Sequence, residues 1–378
     1  MMSILERVAA LRAQGRSVIS LCAGEPSQGA PADVRTRAAQ LMDGRVALGY
    51  SETFGLRELR QRIAGHYQRW YGLAIDPAQV AATTGSSGAF LLGFLAAFDA
   101  GDRVALARPG YPAYRNILTA LGCQVVELDC GPAERFQPTV ELLDAAGPLS
   151  GLVVASPANP TGTMLRPDQL AELSRWCRGR GVRLVSDEIY HGITYTGSVG
   201  SCAWAYDREA IVVSSFSKFW AMTGWRLGWA LVPEELLARF DALAGNFALC
   251  PPVPAQHAAL AAFTERSYAE AEQAVASYAA ARAVLLSRLD DLGWTDVAPA
   301  DGAFYLYAGL GANLAGHPDS VAWCADLLES HGVAVTPGTD FDRVNGHRTV
   351  RLSLAAGPEA VAAAVERILD FQRSRAAG

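Results

Sequence analysis

The chain has 378 residues, 51% hydrophobic and 19% charged, with a formal net charge of -6, a composition that implies a globular protein with a large core and room for two domains. No block of five or more like charges occurs, which argues against nucleic-acid or anionic-membrane binding and leaves any anion site a local one. Seven widely spaced cysteines without a CxxC pair suggest neither a disulfide framework nor a zinc site, so no metal is expected.

The N-terminal stretch "MMSILERVAALRAQG" predicts a charged, amphipathic helix with Ile4, Leu5, Val8 and Leu11 on one face. It lacks a secretory apolar core and cleavage site, and a cytoplasmic location is expected. The longest apolar run, "AFLLGFLAAF" at 89–98, is about half of the ~20 residues that cross a bilayer, so no membrane segment is expected. From about residue 80 to 235 helical stretches alternate with short β-rich runs: "RVALA", "CQVVEL", "GLVVAS", "VRLVS", "AIVVSSF" and "RLGWALV". Such buried runs between helices predict βαβ units around a mostly parallel sheet, an α/β fold whose ligands sit beyond the carboxyl ends of the strands. Past residue 255 a long helical stretch, "YAEAEQAVASYAAARAVLLSRLDDLGW", is closed by Gly293. Three strand candidates follow, "GAFYLY", "GVAVTPG" and "TVRLSLA", then a last helix with Val361, Val365 and Ile368 at helical spacing, together a smaller α+β unit.

Four strand ends carry candidate chemistry. "TTGSSGAFLLGF" opens an apolar helix with Gly85, Ser86, Ser87 and Gly88, whose backbone N–H groups, hydroxyls and helix dipole suit a phosphate, although Ser and Gly there also serve as simple caps. "SPANPTG", "SDEIY" and "SSFSK" place Asn159, Asp187 with Tyr190, and Lys218 along one sheet edge. Each has an ordinary structural explanation: a turn, a helix cap, a solvated lysine. Their convergence where the fold puts a ligand favours a site. A phosphate seat, a lysine, a carboxylate, an amide and a phenol together describe the needs of pyridoxal 5'-phosphate. Lys218, near Arg226 and among apolar residues, is expected to have its ammonium form disfavoured, which favours the nucleophilic amine.

These residues resemble the fold-type I pyridoxal-phosphate enzymes, and within them the class I aminotransferases related to aspartate and aromatic aminotransferases. The resemblance runs over nearly the whole chain through "AGEP", "YSETFGLRELR", "GSSGA", "RPGYPAY", "NPTG", "SDEIY", "SFSKFWAMTGWRLG", "GAFY" and "RLSLA", in order and at matching spacing. It implies a large cofactor domain at 41–275 built on a seven-stranded sheet, and a small substrate-closing domain from 1–40 and 276–378.

Carried to this chain, the resemblance implies that Lys218 forms an internal aldimine and shuttles the proton between the substrate α-carbon and the cofactor. Asp187 keeps the pyridine nitrogen protonated, Asn159 and Tyr190 hydrogen-bond the ring oxygen, and Tyr111 stacks on the ring. Ser86, Ser87, Gly88, Ser215, Ser217 and Arg226 seat the phosphate. Arg351 clamps the substrate α-carboxylate bidentately, with Gly24 and Asn159 beside it. Tyr50 is implied to reach the phosphate of a neighbouring subunit, which makes the active unit a homodimer with shared sites.

Two departures bear on the substrate side chain: only 22 residues precede "AGEP", and "SQGAP" after it lacks the usual Asp-Phe. The expected activity is transfer of an amino group from an L-amino acid to a 2-oxo acid. The alternative is another reaction on the same scaffold, of β-lyase, cyclase or racemase type. A transcription regulator built on this domain needs a preceding basic DNA-binding unit, and a dinucleotide enzyme needs a GxGxxG after its first strand; neither pattern is seen.

Overall fold

The structure, a computed structural model, describes residues 2–376. Its strands are β1 (Ile19–Ser20), β2 (Val80–Thr83), β3 (Arg103–Arg108), β4 (Gln124–Asp129), β5 (Gly151–Ala155), β6 (Arg183–Asp187), β7 (Ile211–Ser215), β8 (Gly228–Leu231), β9 (Tyr305–Gly309), β10 (Val333–Ala334), β11 (Thr336–Pro337) and β12 (Thr349–Ser353). Seven of them form one sheet in the order β2-β8-β7-β6-β5-β3-β4. The pairs β4–β3, β3–β5, β5–β6 and β6–β7 are parallel, and β8 runs antiparallel to both neighbours.

Except at the edge strand β4, which is largely exposed, both faces of this sheet are covered, which is why its inner strands read as apolar runs. Leu152, Val154, Leu184, Val212 and Leu231 point into one core, and Val153, Val185, Ile211, Val213 and Ala230 into the other. The alternation follows from the two-residue period of a strand. Direction decides what lies at the carboxyl edge. The parallel strands deliver the residues after Arg108, Ala155, Asp187 and Ser215 there, and β8, being reversed, starts there, so Arg226 lands at the same edge.

Helix Glu265–Leu286 starts at Thr264, whose hydroxyl accepts the Ser267 N–H. The predicted helix does not run unbroken to Gly293: it ends at Leu286, and a short turn Leu289–Leu292 follows before Gly293, which adopts φ 62. The last three strand candidates form β9, β10, β11 and β12. "GAFYLY" becomes a strand only from Tyr305, and "GVAVTPG" splits in two, β10 pairing with β1 and β11 with β12. In helix Met2–Ala13, Val8 and Leu11 are buried against Leu328 and Ala334, and Ile4 is half-buried. Leu5 departs from the expectation at 38% exposed, because it lies about 100° around the helix from Ile4 and off the Ile4-Val8-Leu11 stripe. The final helix buries Val361, Val365 and Ile368 as its spacing predicts. Among the described residues no helix is long and apolar enough to cross a membrane.

Candidate active site

A cavity of about 250 Å³ opens at the carboxyl edge of the large sheet. Eleven of the fourteen residues to which the resemblance gives a role line it: Gly24, Ser86, Ser87, Tyr111, Asn159, Asp187, Tyr190, Ser217, Lys218, Arg226 and Arg351. The other three stand elsewhere. Gly88 faces an apolar hollow beside Thr83 and Phe247. Ser215 is buried, and its Oγ accepts the Ser217 N–H at 2.8 Å, holding the loop rather than facing the cavity. Tyr50 is 83% exposed and is not part of this cavity's lining.

Lys218 follows β7 and donates from Nζ to the Gly24 carbonyl at 2.7 Å. Burial pulls its ammonium down to about 8; the Arg351 and Arg226 charges push the same way, while Glu25 and Asp187 oppose them. Asp187 ends β6. Burial pushes its carboxyl up to about 6, restrained by a hydrogen bond from the Tyr114 hydroxyl to Oδ2, by the Ile189 N–H on Oδ1 at 3.0 Å and by the Lys218 charge. The carboxylate therefore predominates at neutral pH, the form needed beside a protonated pyridine nitrogen.

On one side of Lys218 helix Gly85–Ala97 begins, presenting Ser86 and Ser87 with its free N–H groups. Arg226, held at φ 53, donates through Nη1 to the Thr223 carbonyl at 3.0 Å. Gly85 takes φ +69, which favours glycine, and a Cβ there would lie 2.6 Å from Arg226 Nη2 and would push the guanidinium aside. Two hydroxyls, a helix N-terminus and a guanidinium make an anion cup.

Arg351, in β12, stands on the other side and is 1% exposed. Nη1 donates to Asn159 Oδ1 at 2.9 Å, and Nη2 to the Cys22 carbonyl at 2.8 Å and Thr336 Oγ1 at 3.4 Å. Its guanidinium lies 4.3 Å over the Tyr305 ring and 4.8 Å over Phe341. It forms no ion pair among the described residues, and Nε has no hydrogen-bond partner. A buried cation without a counter-ion is costly unless an anionic ligand completes it.

Five cavity residues were not singled out in the sequence, Phe90, Tyr114, Pro157, Ile189 and Tyr305, and two of them carry hydroxyls. Tyr114 lies three residues after Tyr111 in "YPAY", one helical turn on, and that spacing is the signal that could have found it. Tyr305 is the last residue of "GAFY"; its hydroxyl lies 2.8 Å from that of Tyr190. Tyr111 crosses Tyr114 edge to face with centroids 5.4 Å apart. The donor set as a whole, with an anion cup, an amine, a buried carboxylate, an amide, two phenols and an aromatic face, fits pyridoxal phosphate.

The family described as aminotransferase class I and II matches residues 16–368. The valine–pyruvate aminotransferase of Mycobacterium tuberculosis is 53% identical over 93% of this chain and 90% of its own. The aspartate/prephenate aminotransferase of Thermus thermophilus is 36% identical over 94% and 91%. A crystal structure of an aminotransferase from M. tuberculosis superposes with a TM-score of 0.95 at 51% identity, covering 99% of this chain and 96% of that one. The chain belongs to the class I and II aminotransferases, pyridoxal-phosphate enzymes that move an amino group between amino acids and oxo acids.

Proposed function

We propose that this aminotransferase works on monocarboxylic L-amino acids, with pyruvate as acceptor. The observation that carries the reading is the use of charge in the cavity. Lys218, Arg226 and Arg351 are its lining cations among the described residues, and each has a task, which leaves none for a second carboxylate. The lining also includes Phe90, Tyr111, Pro157, Ile189 and Tyr305, the last with its ring 4.3 Å from the Arg351 guanidinium, surfaces suited to an apolar side chain. The name of the M. tuberculosis relative agrees with this reading.

Pyridoxal phosphate supplies, when bound, a carbonyl that captures amines and a ring that withdraws electrons from the bonds around the substrate α-carbon. Ser86, Ser87, Ser217 and Arg226 would hold its phosphate, and Tyr111 would lie against the ring. Asp187 would keep the ring nitrogen protonated, with Tyr114 orienting the carboxylate. Asn159 and Tyr190 would donate to the ring oxygen. Lys218 would be the covalent anchor, and its amine, once free, would take the proton from the substrate Cα. Arg351 would fix the α-carboxylate, which sets the Cα–H bond relative to Lys218 Nζ.

The active unit we propose is a homodimer, Tyr50 of one subunit completing the phosphate cup of the other. The exposure of Tyr50, Phe247 and Leu249 supports this, since large apolar groups left in water favour burial in an interface. Residues 41–275 are proposed to carry the cofactor, with 1–40 and 276–378 closing over the substrate. All seven cysteines are free, which suits a reducing compartment, and the cytoplasm is proposed. The test is kcat/KM for L-valine with pyruvate against L-aspartate with 2-oxoglutarate. The first pair is expected to exceed the second by at least roughly tenfold, the cost of burying one unmatched carboxylate being above ~1.4 kcal/mol. A preference for the dicarboxylic pair refutes the assignment.

A further inference from the structure

The hydroxyls of Tyr190 and Tyr305 lie 2.8 Å apart, and both side chains are buried. Tyr190 follows β6 and Tyr305 opens β9, so the pair joins the edge of the large sheet to the second sheet. A phenol has one proton to donate. When Tyr190 gives its proton to the cofactor's ring oxygen, its own oxygen can only accept from Tyr305. The direction is then settled: Tyr305 donates to Tyr190, and Tyr190 donates to the ring oxygen.

We propose that Tyr305 is a positioning residue whose hydroxyl polarises Tyr190 and thereby loosens the proton on the nitrogen that joins Lys218 to the cofactor. The proposal rests on the reading of Tyr190 as the ring-oxygen donor. Hydrogen bonds in series strengthen one another by about 10–30% per bond. A stronger donor draws negative charge from the ring oxygen, so the nearby nitrogen holds its proton less tightly.

The ring of Tyr305 has a separate role. It lies 4.3 Å beneath the Arg351 guanidinium, so hydroxyl and ring act on different partners and can be separated by substitution. The charged and titratable groups around the pair are Arg351, Asp187, Lys218, Tyr111 and Tyr114, with Glu25, Arg226, Arg351 and Asp187 around Lys218. Removing the Tyr305 oxygen leaves all of them in place.

The test is a pH titration of the visible absorption of enzyme reconstituted with pyridoxal phosphate, which requires no turnover. Tyr305→Phe is expected to raise the midpoint by roughly half a unit, while a monocarboxylate competitor binds within about twofold of wild type because the ring under Arg351 is kept. Tyr305→Leu should raise the midpoint similarly and also weaken the competitor. Tyr190→Phe should raise the midpoint further, and adding Tyr305→Phe to it should bring no additional shift. A Tyr305→Phe enzyme that titrates at the wild-type midpoint overturns the proposal, as does a fully additive shift in the double variant. If Tyr190→Phe alone leaves the midpoint unmoved, the reading of Tyr190 falls first and the proposal with it.

Discussion

Replacing Arg351 by lysine keeps the charge and removes the fork, which isolates what the geometry contributes. A guanidinium has five N–H donors. Three bonds are made here, to Asn159, Cys22 and Thr336, and the donors left are one on Nη1 and the one on Nε, which has no partner. The Nε and free Nη1 donors lie on different edges of the guanidinium, so an end-on fork to a carboxylate uses the free Nη1 donor and one on Nη2 that gives up its long 3.4 Å bond to Thr336. A hydrogen bond to a charged group is worth about 1.5–3 kcal/mol. Lysine can supply one such bond at best, so Arg351→Lys should lower kcat/KM by roughly 10- to 150-fold. Arg351→Met loses both bonds and the charge and should fall further.

Stability should behave differently. Removing a buried cation that lacks a counter-ion relieves a cost, whereas the Asn159, Cys22 and Thr336 oxygens lose their donor at about 1–3 kcal/mol each. These effects oppose one another, so the loss in folding free energy for Arg351→Met should be smaller than the loss in transition-state stabilisation. The assay compares kcat/KM for an amino acid with that for the amine lacking its carboxylate, alongside a denaturant melt. Wild type should discriminate strongly, and Arg351→Met should treat the pair almost alike. Undiminished discrimination in Arg351→Lys and Arg351→Met refutes the clamp.

Asp187→Asn should retain cofactor through its phosphate but lose most turnover, since an amide cannot hold the pyridine nitrogen protonated; near-normal turnover removes that role. Tyr114→Phe should push the Asp187 carboxyl above its present value of about 6. The active carboxylate exists above that pKa and is lost as pH falls through it, so the acid limb of turnover should move to higher pH, and an unmoved limb denies Tyr114 its part. Gly85→Ala forces an unfavourable φ and displaces the Arg226 guanidinium, so cofactor should dissociate faster, measured by dialysis. For Tyr50, mixing Lys218→Ala chains with Tyr50→Asp chains should restore activity, because one site in the hybrid keeps both residues; a confirmed hybrid that stays inactive refutes the shared site.

The sheet was legible because its inner strands are buried on both faces. Runs such as "AIVVSSF" and "GLVVAS" hold unbroken apolar character that neither a surface strand nor an amphipathic helix shows. The edge residues were legible for a related reason: a polar group directly after such a run has to emerge at the carboxyl end, which located Asn159, Asp187 and Lys218. Tyr114 and Tyr305 were not, since a tyrosine in an apolar setting reads as core until its hydroxyl is seen to meet Asp187 or Tyr190 across the fold. Ser215 and Ser217 differ by two positions in a tight loop, and only the bond from the Ser217 N–H to Ser215 Oγ shows which of them faces the cavity. The break at Ser287 is likewise a tertiary choice, in a stretch whose alanines and leucines favour helix throughout.

The two arginines at the ends of the cavity do more than seat anions. Both lower the Lys218 ammonium, as burial does more strongly, so an empty site offers an amine ready to react at mildly alkaline pH. A phosphate at Arg226 offsets one of these charges, and a carboxylate at Arg351 offsets the other. Each arriving anion thus weakens the electrostatic pressure on Lys218, and what then still holds its ammonium below the usual lysine range is burial. The apolar lining of the cavity is accordingly part of the chemistry. Phe90, Pro157 and Ile189 line it together with Lys218, and a polar group introduced among them should raise the lysine's pKa even with both arginines intact, because solvation of the ammonium acts independently of their charge.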